Sequence, residues 1–278
     1  MPMPQKDRPA VIVAALQMRS DFGLVEANLD RLEQLAHRAA DTGAKIVVAP
    51  ECAATGYAGN DLRSIWHAPG RQVNPWFWLR DVAAVAEPIP GPVTDRLALI
   101  ARERGIYLLV GLIERGDDGN AYNTAVLLSP AGEIAGAHRK RWPWPAIEPA
   151  WATAGDTPPL ICATPGGPVG VAICYDIHRV RRLYAAGQIW TLLFPAAWID
   201  LEPPTKYLDR RFPMVARALG CNVIFANHSL STATRWFGSG GSTIYRADGV
   251  VAARSPLEFG DDVVVAELPQ ASQPMAID

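Results

Sequence analysis

The sequence is poor in the features that tie a chain to a metal, a membrane or a polyanion. Its four cysteines, Cys52, Cys162, Cys174 and Cys221, include no C-x-x-C pair and no close spacing. Neither a disulfide framework nor a cysteine metal site is therefore indicated. Its five histidines, His37, His67, His138, His178 and His228, form no H-x-H or H-E-x-x-H pattern, so no histidine metal motif is present. The formal net charge is only −2, without the basic excess expected of a nucleic-acid binder. No apolar run reaches the roughly 18 residues of a membrane span, and the opening "MPMPQKDRPA" has no apolar signal core. The expectation is a reduced, cytoplasmic protein with no metal, no cofactor, no nucleic-acid partner and no membrane partner.

The 24 prolines and 23 glycines are scattered as turns rather than gathered into a linker, so one domain over residues 1–278 is expected. Continuous apolar runs rich in β-branched residues predict buried strands at "VIVAALQM" (11–18), "KIVVAP" (45–50) and "IYLLVGLI" (106–113). Between them, "NLDRLEQLAHRAADTG" and "GPVTDRLALIARERG" carry apolar residues at helical spacing. "NTAVLLSPAGEIAGAHRK" predicts a hairpin turning at Pro130-Ala131-Gly132. The second half repeats the plan: a strand at 169–174, a short helix at "RRLYAAG", a strand at "IWTLLFP", and a helix at "TKYLDRRFPMVARALG" that Pro213 could kink. A strand at "NVIFAN", a hairpin at "STIYRADGVVAAR" and a last strand at "DVVVAEL" follow. Two mixed β-sheets packed face to face with helices outside account for this order, as does one doubly wound sheet. The aromatic stretch at 66–81, "WHAPGRQVNPWFWLRD", fits neither period and predicts a long loop.

Cys174 ends a predicted buried strand in "GVAICYDIHRVRRLY". Most such cysteines are buried core thiols. A strand end, however, is where α/β folds place ligands, and a helix starting there would stabilise a thiolate through its N-terminal dipole. His178 is a possible base partner, but a histidine four residues on would point along that helix and away from the strand end. Glu51, in "VVAPECAATGYAG", also directly follows a buried strand. Desolvation there would raise its pKa toward the range useful for proton transfer. The basic run "HRKRW" leads straight into Trp142-Pro143-Trp144-Pro145. One of Arg139, Lys140 and Arg141, turned inward, could stabilise an oxyanion; the segment alone does not choose among them. "GSGGS" (238–242) lacks the G-K-[ST] ending of a phosphate loop.

Taken together, "PECAATGY", "HRKRW", "VAICYDI" and "FGSGGSTIYRADGVV", in this order across nearly the whole chain, resemble the nitrilase superfamily of carbon–nitrogen hydrolases. The resemblance implies a four-layer αββα sandwich and a dimer or larger homo-oligomer. It also implies a triad of Glu51, Lys140 and Cys174, with Glu148 matching a second glutamate. The implied chemistry is attack of Cys174 on a small-molecule amide or N-carbamoyl carbon, with Tyr175 N–H and Lys140 holding the oxyanion and no cofactor. Cys174-Tyr175-Asp176 resembles the amidase and carbamoylase branch more than the Cys-Trp-Glu of true nitrilases; a nitrilase, an acyl transferase and a silent interaction module are the alternatives. Tyr57, Trp142, Trp144, Trp198 and Arg179 sit in segments that line the family's pocket and are candidate substrate contacts. Where the family often continues Arg-Phe-Pro-Glu after the nucleophile motif, this chain carries Arg179, Arg181 and Arg182. A solvated face accounts for them; facing the pocket, they would favour an anionic substrate.

Overall fold

The computed structural model describes residues 9–58, 82–145, 147–198, 207–229, 239–256 and 260–271. The aromatic stretch at 66–81 lies outside them. In chain order the elements are β1 (Ala10–Gln17), α1 (Val25–Asp41), β2 (Ile46–Val48), α2 (Pro92–Arg104), β3 (Tyr107–Arg115), β4 (Ala121–Leu128) and β5 (Ile134–Arg139). They continue as β6 (Ile161–Thr164), β7 (Gly167–Val171), β8 (Thr191–Ala196), α3 (Phe212–Leu219), β9 (Asn222–Asn227), β10 (Thr243–Tyr245), β11 (Val251–Arg254) and β12 (Asp262–Pro269).

The strands form two six-stranded sheets, β12-β1-β2-β3-β4-β5 and β11-β10-β9-β8-β7-β6. Each has a parallel centre, β1-β2-β3 in one and β7-β8-β9 in the other, with antiparallel edges. Because side chains alternate along a strand, each central strand is apolar on both faces. Val13, Val48 and Leu109 of the first sheet meet Val171, Leu193 and Ile224 of the second. Their alternates Leu16, Val47 and Leu108 face Leu32 of α1 and Leu97 of α2. On the far side, Phe194 and Phe225 face Phe212 and Leu219 of α3. The layers are thus helix, sheet, sheet, helix, as expected. Both hairpins form, as β4-β5 and β10-β11. β12 leaves the second half and pairs antiparallel with β1, closing the edge of the first sheet.

Two local expectations are corrected. The segment "RRLYAAG" is a 3₁₀ turn at Val180–Arg182 rather than a helix. Its tyrosine is drawn into the core: the Tyr184 hydroxyl accepts Val171 N–H (2.8 Å) and donates to Leu160 O (2.9 Å), over a backbone left bare at Gly170. That tether overrides helix propensity. No α-helix starts after Cys174 either; Cys174–His178 is a 3₁₀ turn, too short for the dipole invoked above. In "TKYLDRRFPMVARALG", a wide turn at Tyr207–Arg211 precedes α3, whose first turn holds Pro213, where proline's missing N–H costs no helical bond.

Candidate active site

The segment bearing Glu51 follows β2 and lies flat on β3. Gly111 permits this, since a Cβ there would sit 2.3 Å from Cys52 N and 2.8 Å from Pro50 O. The turn passes through Cys52 at φ +49°. Across the sheets, His228, just after β9, binds Glu51 O through Nε2 at 2.7 Å. The Glu51 carboxylate is fully buried. Its Oε2 accepts Ala197 N–H, at the end of β8, at 2.7 Å.

Of the three basic residues, Lys140 is the one turned inward. Arg139 pairs with Glu114 at 2.5 Å and stacks on Tyr122; Arg141 donates to Gly155 O. Lys140, 1% exposed, places Nζ 2.6 Å from Glu51 Oε1 and 2.7 Å from Glu148 Oε1. Asn123 makes the same bridge, its Nδ2 lying 2.7 Å from each of those two oxygens. Glu148, in the 3₁₀ turn Glu148–Ala150, also accepts the Tyr57 hydroxyl (3.1 Å) and Trp144 N–H.

Cys174 stands at the opposite side in the left-handed region, φ +44°, and unlike Glu51, Lys140 and Glu148 keeps partial exposure. The Ala197 N–H that bonds to the Glu51 carboxylate also favours the thiolate form of Cys174. Tyr175 N–H belongs to the first turn of the 3₁₀ segment, where backbone donors lack intrahelical partners.

The electrostatics follow from burial and charge. Burial alone would push the Glu51 carboxyl up, but the Lys140 ammonium and the bonds from Lys140, Asn123 and Ala197 N–H outweigh it and hold the group below its ordinary value. This corrects the expected rise: the carboxylate is kept ionised. Burial raises Glu148, with Lys140 opposing and the Glu51 charge adding. One ammonium cannot fully compensate two buried carboxylates, so the pair splits. Burial would lower Lys140, yet Glu148 and Glu51 keep it well above its ordinary value and thus charged. Burial and the Glu51 charge push the Cys174 thiol well up, against Lys140 and Ala197 N–H. The resting site is a neutral thiol beside a carboxylate.

The remaining candidates are dispersed. The Tyr57 hydroxyl is engaged by Glu148 and its ring meets Trp151 edge-on. Trp142 donates its backbone N–H to Asp176 and has the Arg179 guanidinium 5.7 Å above its ring. Trp144 is partly buried. Trp198 is buried against Phe212, with the His178 ring 6.3 Å away. His178 itself lies against Tyr175, so the Cys174–His178 dyad is not what the site is built on. Arg179, Arg181 and Arg182 are all exposed. Sequence reading missed Asn123, Ala197 N–H, His138 and Asp176. Only Asn123 gave a readable sign, as a polar residue inside the apolar "YNTAVLL".

Comparison with known proteins gives the same direction. The carbon–nitrogen hydrolase family profile matches residues 12–275. The omega-amidase of Xenopus tropicalis is 31% identical over 254 residues, covering 87% of this chain and 82% of that protein. An aliphatic nitrilase of Sinorhizobium fredii is 35% identical over 167 residues, covering 60% of this chain and 52% of that protein, so the match spans about half of its length. An amidase structure from Nesterenkonia sp. superposes at TM-score 0.76 with 24% identity, covering 93% of this chain and 90% of that one, which carries the fold. With a family match from the first strand to beyond the last, this chain belongs to the carbon–nitrogen hydrolases, enzymes that hydrolyse carbon–nitrogen bonds.

Proposed function

We propose that the protein hydrolyses a small amide or N-carbamoyl compound through a thioester on Cys174, with Glu51, Lys140 and Glu148 completing the site. The observation that carries this reading is the Lys140 ammonium wedged between the two buried carboxylates of Glu51 and Glu148, all three of which act electrostatically on the Cys174 thiol. Glu51 takes the thiol proton as sulfur attacks the carbonyl carbon. The ammonium has three N–H bonds; two are used on Glu51 and Glu148, and the third, with Tyr175 N–H, meets the developing oxyanion. The C–N bond then breaks, Glu51 passes its proton to the departing nitrogen, and a thioester remains. Water adds next, losing a proton to Glu51; the C–S bond breaks, the acid leaves, and the thiol regains the proton. Glu148, held by Lys140, Asn123, Tyr57 and Trp144 N–H, fixes the ammonium and helps position the water.

The likeness to an omega-amidase over 87% of this chain and 82% of that protein supports an amide substrate, and that to an aliphatic nitrilase keeps a nitrile as the second reading. We place the activity in one domain spanning 1–278, in a cytoplasmic homo-oligomer. The test is intact mass measurement after incubation with a panel of amides and their matched nitriles. An acyl adduct is expected on the wild type and none on Cys174→Ala. Equal labelling of the two proteins would sink the nucleophile assignment, and turnover of nitriles alone would favour the second reading.

A further inference from the structure

Two loop segments must hold their relative position for this site to exist. One follows β5 and carries Lys140; the other follows β7 and carries Cys174. β5 and β7 belong to different sheets, so no strand pairing fixes one segment to the other. Asp176 joins them. Its fully buried carboxylate accepts Trp142 N–H at Oδ1 (2.9 Å), and at Oδ2 it meets Ile173 N–H (3.0 Å) and His138 Nε2 (3.2 Å). Trp142 and His138 flank Lys140 by two residues on either side, and Ile173 immediately precedes the nucleophile. One carboxylate thus grips both segments.

A second, independent observation concerns the backbone. Cys174 has φ +44°, a conformation unfavourable for an L-residue that persists only where the surroundings over-determine it. The Ile173 N–H bond to Asp176 closes that turn. His138, 2% exposed, has no partner for Nδ1 among the described residues, so Nε2 carries the proton donated to Asp176.

We propose that Asp176, oriented by His138, is a positioning residue that sets the Cys174 sulfur against the Lys140 ammonium across the gap between the two sheets. It touches no reacting atom. The inference rests on the proposed roles of Cys174 as nucleophile and Lys140 as oxyanion donor.

The test uses the full-length protein with Asp176→Asn, His138→Gln and His138→Leu, each checked by circular dichroism and thermal melting. Asparagine puts an N–H₂ donor against one of the N–H groups that Asp176 now accepts. Two rates are read at one pH: single-turnover acylation by an amide the wild type uses, and alkylation of Cys174 by iodoacetamide, which needs no oxyanion donor. Folded Asp176→Asn is expected to acylate about 100-fold more slowly with KM changed less than about threefold, while alkylation slows far less. His138→Gln, which keeps a donor to Asp176, is expected within about fivefold of wild type, and His138→Leu about tenfold or more below it. If Asp176→Asn does not fold, the Gln–Leu contrast at His138 carries the same reading. Wild-type acylation by a folded Asp176→Asn overturns the proposal, and so does a fall in both rates that tracks lost stability. A wild type that alkylates at Cys174 yet acylates with no amide sinks the proposed function, and the clamp with it. Normal wild-type acylation beside an unaffected Asp176→Asn sinks the clamp alone.

Discussion

Replacing Lys140 by methionine keeps the length and apolar stem of the side chain and removes its charge. In the native site the ammonium lies 2.6 Å from Glu51 and 2.7 Å from Glu148, and both carboxylates are fully buried. Without it, two buried carboxylates face each other with Asn123 alone between them. Breaking a buried ion pair by removing one partner costs about 3–5 kcal/mol. At about 2 °C per kcal/mol for a chain this long, the melting temperature should fall by roughly 6–10 °C near neutral pH. The deficit should depend on pH, and its sign can be worked out. In the wild type, Lys140 holds Glu51 below its unfolded value of 4.5, so the stability from Glu51 is present above that value and fades as pH drops through the folded one. Glu148, already raised by burial, runs the other way. In the variant, burial pushes both carboxyls up. Their stabilising contribution is then full below the unfolded value and lost as pH rises through the folded one. Lys140→Met should therefore differ least from the wild type near pH 5 and most near pH 8. Thermal melts across that range are the assay. A deficit under about 2 °C at pH 8, or one that does not grow with pH, would refute the reasoning. Activity should fall in parallel by about 10²–10³ in kcat through loss of the proposed oxyanion donor.

Two further substitutions test how the base is held. Glu51→Gln removes the base proposed for the Cys174 thiol, and because burial keeps that thiol protonated at neutral pH, acylation should drop about 10²–10⁴-fold. What remains should climb with pH as the thiolate forms, read by single-turnover rates; a variant equal to wild type at neutral pH would remove Glu51 from the chemistry. Gly111→Ala puts a Cβ 2.3 Å from Cys52 N and should cost about 1–3 kcal/mol by overpacking. Because it displaces the backbone carrying Glu51, kcat should fall more than KM rises; an unchanged melting temperature with unchanged kinetics would show that the turn has room.

Much of the fold was legible because its strands are apolar on both faces and its turns carry proline and glycine. The hairpin at Pro130-Ala131-Gly132 and the strand before Pro50 are examples. The misread segment, "RRLYAAG", failed for a nameable reason: local propensity knows nothing of a tyrosine hydroxyl bonded to Val171 and Leu160. The short 3₁₀ turn at Cys174 escaped for a similar reason, since Asp176 satisfies the N–H before it from within the core. Asn123 was readable only as an oddity in an apolar strand; its two carboxylate partners are 72 and 25 residues away.

By itself the sequence determined most element types and the order of the motifs, because these rest on local periodicity and turn chemistry; between two packed sheets and one doubly wound sheet, periodicity left the choice open. The sequence also placed Glu51 and Cys174 at strand ends. The local segment did not choose among three neighbouring basic residues; the resemblance singled out Lys140, the structure turns it inward, and tertiary structure alone decided that Glu51 stays ionised although buried. It alone decided that Cys174 rests as a thiol, and that Asp176 ties the lysine segment to the cysteine turn. Each of these depends on charges and donors far apart along the chain. Their energies are set by separation in space and by the loss of water around them, and neither is written in the order of the residues.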